Sequence, residues 1–73
     1  MSQPYDPARD PEAMLSPREA AAFLSSTTRT LEVWRARGVG PAYYRPSVNR
    51  VRYKRKDLID YVEQSRVNPR AAA

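Results

Sequence analysis

Nine basic residues crowd the stretch from Arg29 to Lys56 (Arg29, Arg35, Arg37, Arg45, Arg50, Arg52, Lys54, Arg55 and Lys56), against a single acid, Glu32. That stretch carries +8, while the rest of the chain holds four basic and seven acidic groups, so the net +5 is sorted along the sequence. Like charge concentrated on one compact segment raises the self-energy of a fold, and an external counter-charge relieves it. The phosphates of nucleic acid are the commonest such partner. A solvated basic face is the plainer reading of a charge run taken alone. The residues interleaved with the charges decide between the two.

Thr28, Arg29, Glu32, Val33 and Arg37 occupy the first turns and outward face of an amphipathic helical pattern. Such a helix fits the major groove of duplex DNA. There Arg takes guanine bidentately, Thr bonds either base type, and an aliphatic group such as Val33 touches a thymine methyl. An apolar Val33 among arginines has little reason to sit on a purely solvated face, although scattered exposed apolar residues are normal. Asn49, Arg50 and Arg52 lie at the tip and returning strand of an expected hairpin, where a narrow basic loop can enter the minor groove or bind phosphate. Lys54, Arg55 and Lys56 crowd the start of a third helix, the wrong end of its dipole for cations, which points to an anion nearby. Trp34 could stack on a base, but it shares a helical face with Leu31 and is expected in the core. Tyr43, Tyr44, Tyr53 and Tyr61 are read the same way, as packing residues before stacking ones.

Other chemistries lack their residues. The chain has no Cys and no His, which removes disulfides, thiolate zinc sites and the commonest general base and metal ligand. No Gly-rich phosphate loop or paired-carboxylate arrangement stands ready to activate the hydroxyls, so neither catalysis, nor a cofactor, nor a metal is expected. The longest apolar run, Ala20 to Leu24, falls far short of the roughly 20 residues that span a bilayer, and no signal-peptide layout opens the chain. A cytoplasmic location with no membrane partner is the expectation, and lack of Cys agrees with a reducing compartment.

The elements that must position the basic residues can be read from local signals. Residues 1–12, with three prolines and no apolar periodicity, are expected to form a disordered or loosely docked arm, and 67–73 a flexible tail, leaving 13–66 as one folded domain. Ser16-Pro17-Arg18-Glu19 combines a Ser N-cap, Pro at the first helical position and Glu three residues after the cap, so a helix should run from Pro17 to about Leu24. Ala20, Ala21, Phe23 and Leu24 are its candidates for burial. Thr27 caps a second helix, Thr28 to Arg37, which Gly38 ends in a left-handed conformation before Pro41. Ala42–Arg45 and Val51–Tyr53 read as strands of a hairpin with a loose tip over Pro46–Arg50, leaning on the helices through Tyr44, Val51 or Tyr53. A third helix should run from Arg55 to about Ser65 with Leu58, Ile59, Tyr61 and Val62 on its apolar side. The fold class is therefore mainly α with a small β-hairpin: a helix-turn-helix, a two-stranded wing and a C-terminal helix.

Taken in order, Leu15-Ser16-Pro17-Arg18-Glu19-Ala20-Ala21, Thr27-Thr28-Arg29-Thr30-Leu31-Glu32-Val33-Trp34-Arg35, Gly38 with Gly40-Pro41, and Arg50-Val51-Arg52-Tyr53 with Asp57-Leu58 resemble the small winged helix-turn-helix proteins of the excisionase and AlpA type, relatives of the MerR DNA-binding domain. The resemblance spans Leu15 to about Glu63. It implies that the second helix enters the major groove through Thr28, Arg29, Thr30, Val33 and Arg37. The wing would reach the adjacent minor groove or backbone through Asn49, Arg50 and Arg52, with Lys54 beside them. Two positions depart from the pattern: Ser25-Ser26 replaces the usual Gly-Val of the inter-helix turn, and Thr28 stands where a helix-starting Pro is common. The implied role is that of a recombination directionality factor. Such a protein binds adjacent sites on double-stranded DNA with cooperative self-association, bends the duplex, and assists an integrase (a tyrosine or serine recombinase) in excising a mobile element. An AlpA-like transcriptional regulator uses the same surface. A protein-interaction module or anti-repressor with an acidic partner is the alternative of another class.

Overall fold

A computed structural model of the chain describes residues 9–69. Its first helix, α1, spans Pro17–Phe23 and begins as the local signals dictate. The Ser16 hydroxyl accepts from the Glu19 amide at 3.1 Å, and the Glu19 carboxylate accepts from the Ser16 amide at 2.8 Å. That reciprocal cap satisfies two backbone donors that a helix start otherwise leaves open. The bond from the Ser16 backbone is also the main reason that the Glu19 carboxyl titrates below its ordinary range.

The link to the second helix has the closing pattern of a left-handed C-terminal cap. Ser26 donates to the Ala21 carbonyl at 2.8 Å and Ser25 to that of Ala22 at 3.1 Å, with Ser25 at φ 53°. This is the position where glycine is usual, because a Cβ there crowds the backbone. Helix α2 spans Thr28–Arg37, capped by the Thr27 hydroxyl accepting from the Thr30 amide at 3.2 Å. It ends on Gly38 at φ 71°, where Val39 donates to the Trp34 carbonyl at 2.9 Å. Gly40, at φ 92°, is required for space as well: a Cβ there would stand 2.9 Å from Cε3 of Trp34.

Three strands form an antiparallel sheet: β1 (Met14–Leu15), β2 (Tyr44–Ser47) and β3 (Arg50–Lys54), in the order β1-β3-β2. Strand β1 is absent from the sequence expectation, since two residues carry no periodicity; pairing of Leu15 with Tyr53 and Met14 with Lys54 creates it. The wing is also tighter than the loose five-residue tip expected. Pro46 and Ser47 belong to β2, and a turn at Val48 and Asn49 returns the chain, with a register slip between the Tyr44–Arg52 and Ser47–Arg50 pairs. Pro46 is tolerated because β2 is an edge strand.

Helix α3 spans Arg55–Gln64. Its N-cap residue, Lys54, makes no side-chain cap bond; the amides of Arg55 and Lys56 donate to the carbonyls of Ala13 and Pro11, at 2.9 and 2.8 Å. Residues 10–12 of the N-terminal arm therefore dock on the start of α3. Residues 1–8 of that arm and 70–73 of the tail lie outside the described residues.

Ala13, Leu15, Ala20, Ala21, Leu31, Tyr53 and Leu58 make the core, with Leu24, Trp34 and Val51 packed partly buried against it. Every element except β2 contributes at least one of these, and the central strand supplies the largest, Tyr53. Three expectations need correction. Trp34 is half-buried, closing the edge of the core with its ring 5.7 Å from that of Tyr61, while Leu31 on the same face is fully enclosed. Phe23 stands exposed at the end of α1, and on α3 only Leu58 is enclosed, leaving Ile59 and Val62 at the surface. A core this small can cover one stripe per helix and no more. The result is three helices and a small sheet in winged helix-turn-helix order, and no helix among the described residues is long and apolar enough to cross a membrane.

Candidate nucleic-acid interface

Helix α2 is held from behind by Leu31, which is fully buried, and by Arg35, whose Nη1 donates to the Tyr53 hydroxyl at 2.6 Å. The Arg35 guanidinium also lies 5.9 Å from the Tyr43 ring centre, and Arg45 approaches the same ring at 5.9 Å. Tyr43 in turn packs at 6.1 Å on Tyr53. Arg45 continues to the wing turn, donating to the Val48 carbonyl at 3.3 Å. Two of the nine clustered cations thus lock α2 to the root and tip of the hairpin. Sequence reasoning counted Arg35 only as surface charge. The available signal was its place four residues after Leu31, which puts it on the inward face.

With α2 so fixed, Arg29, Val33 and Arg37 form one row at four-residue intervals, about 12 Å from end to end at 1.5 Å per residue. Arg29 is 81% exposed and loosely paired with Glu32 at 3.6 Å, a contact worth little at such exposure. Thr28 and Arg37 are exposed, and the Arg37 side chain has no bonding partner among the described residues. Val33 is half-buried, so its methyls present an edge and not a full surface. Thr30 is half-buried too, and its hydroxyl shares a 3.1 Å bond with that of Thr27, which ties it to the helix cap.

On β3, Arg50, Arg52 and Lys54 alternate with Val51 and Tyr53 and so share the face opposite the core. Asn49 and Arg50 are exposed at the tip, with the Arg50 side chain unpartnered among the described residues. Arg52 is half-buried and donates to the Val51 carbonyl at 2.7 Å. Lys54 lies 5.3 Å above the Tyr44 ring and binds the Glu12 carboxylate at 3.1 Å, while Lys56 reaches the other oxygen of Glu12 at 3.0 Å. The bonds to Lys56 and Lys54 hold the Glu12 carboxyl below its ordinary range, and the Glu12 bond raises Lys54. No local signal places Glu12 here, because only the docking of its segment on the start of α3 brings it to the lysines.

A groove of about 490 Å³ bordered by Met14, Glu19, Phe23 and Arg55 includes no residue of α2 or of the wing. No group of three or more acidic residues that could hold a metal occurs among the described residues. The exposed basic residues lie on a helix row and on a hairpin edge. That arrangement defines a winged helix-turn-helix of the DNA-binding class. A helix-turn-helix domain model matches residues 14–66, and the chain belongs to this family, which includes excisionase- and AlpA-type proteins. No curated protein matches the chain.

Proposed function

We propose that this protein binds double-stranded DNA sequence-specifically as an excisionase-type recombination directionality factor. Helix α2 lies in the major groove and the hairpin grips the flanking backbone. The observation that carries the reading is the outward row of Arg29, Val33 and Arg37 on a helix anchored by Leu31 and Arg35, beside a hairpin with an exposed Arg50 at its tip. Arg29 exchanges the exposed Glu32 for a guanine edge, Val33 offers methyl contact to thymine, and Arg37 and Thr28 bind at the two ends of the row. Thr30 acts by holding the first turn. Asn49, Arg50 and Arg52 meet the minor groove or phosphates, and Lys54 extends their line.

A single domain of this size buries only about 600–1,000 Å² on DNA. Specificity then has to come from several copies on adjacent sites and from bending of the duplex between them. Self-association on DNA and an integrase partner belong to this reading, as does a cytoplasmic location. A band-shift on a fragment carrying several sites, followed by excision by a purified integrase with and without the protein, tests it. Cooperative filling and a dependence of excision on the protein are expected. Independent filling, or promoter control with no effect on excision, would replace the reading with an AlpA-like regulator; binding to an acidic protein and not to DNA would replace it with an interaction module.

A further inference from the structure

The cations at the start of α3 have an anion, and it comes from the chain itself. Lys54 and Lys56 converge on the two oxygens of Glu12 at 3.1 and 3.0 Å, although all three side chains reach the surface. Lys54 is steadied for this by the Tyr44 ring beneath it. Its side chain continues the alternating line of Arg50 and Arg52 from the wing tip, so the lysine pair is the inner end of a basic edge. The segment that brings Glu12 is held through its backbone: the Pro11 and Ala13 carbonyls accept from the Lys56 and Arg55 amides, and Asp10 folds back on Ala13 and Glu12. A carboxylate held between two surface lysines on a basic edge occupies the place that a phosphate oxygen would take.

We propose that Lys54 and Lys56 form a phosphate-binding site for the DNA backbone, which Glu12 fills in the free protein, and that the Asp10–Glu12 segment is a strap that duplex DNA displaces. The site takes a phosphodiester group and reads no base. It rests on the DNA-binding reading above and adds to it a built-in competitor: the duplex must open two ion pairs, one on the half-buried Lys54 and one on the exposed Lys56, before the lysines can serve it. Pairs that reach solvent are weak, so the competition lowers affinity modestly and discriminates against contacts too brief to pull the strap away.

The experiment compares the full-length protein with Glu12→Gln on a random-sequence duplex across a range of salt. Glu12→Gln is expected to bind about 2- to 30-fold more tightly at low salt, the range that two pairs reaching solvent allow. In a Lys54→Gln/Lys56→Gln background the same change is expected to have no effect, and the slope of log affinity against log salt should fall by about two contacts. Wild-type protein that binds the duplex while Glu12→Gln binds equally or more weakly would overturn the strap and leave the DNA reading standing. Wild-type protein that binds no duplex would remove both. Should Glu12→Gln fail to fold, the carboxyl resonance of Glu12 in the wild-type protein decides: its titration should move back up toward the ordinary range when duplex saturates the protein, and an unmoved titration would refute displacement.

Discussion

The bond between Arg35 and Tyr53 is the joint on which the geometry of the interface depends, and its loss should be large for so small a protein. Tyr53 is 1% exposed, and its hydroxyl receives the Arg35 Nη1 at 2.6 Å. Tyr53→Phe removes the acceptor without changing the shape of the ring. A hydrogen bond to a charged group contributes about 1.5–3 kcal/mol. A folded unit of about 50 residues has only about 3–8 kcal/mol in total, at the usual stability per residue. At about 4–8 °C per kcal/mol for domains of this size, the expected fall in Tm is about 6–24 °C. Arg35→Met keeps the aliphatic stem and should cost a similar amount, while the double variant should cost little more than either single one. Urea unfolding followed by circular dichroism measures the four proteins of that cycle. A coupling below about 0.5 kcal/mol would refute the idea that this contact joins α2 to the sheet.

Three further outcomes follow from individual residues. Ser25→Gly should stabilise the domain by about 1 kcal/mol, because it relieves a Cβ held at φ 53°; thermal melts should rise by about 4–8 °C, and a fall would show that the turn carries no strain. The carboxyls of Glu12 and Glu19 both titrate below their ordinary range in the folded protein, so their contribution is complete above the ordinary carboxylate range and is lost as pH falls through the lower folded values. Urea midpoints should therefore drop between pH 5 and pH 3, and a Glu12→Gln/Glu19→Gln variant should show a shallower drop; equal drops would contradict the assignment. Arg50→Ala should weaken binding to all duplexes alike and reduce the salt slope by about one contact, with an unchanged slope excluding a phosphate contact.

The parts of the fold legible in the sequence are those fixed by neighbours along the chain. The bounds of α2 and the start of α1 follow from Thr27, Gly38 and the Ser16–Glu19 box, each of which satisfies a backbone group within a turn. The positive φ at Ser25, where the family pattern has Gly, is likewise a local feature of the turn. Features made by distant pairing were hidden. Met14–Leu15 become a strand only because Tyr53 and Lys54 lie beside them, and Glu12 becomes a ligand of two lysines only because its segment returns to α3. The same holds within the interface. Charge counting found the basic cluster, yet could not separate Arg29, Arg37 and Arg50, which project, from Arg35 and Arg45, which brace Tyr43.

If α2 reads base edges in the major groove, the affinities of the wild-type protein and Arg29→Ala for a preferred site and for random duplex will show it. Arg29→Ala should lose about 1–3 kcal/mol on the preferred site and much less on random DNA, so that sequence preference relaxes. Equal losses on both duplexes, or none on either, would contradict it.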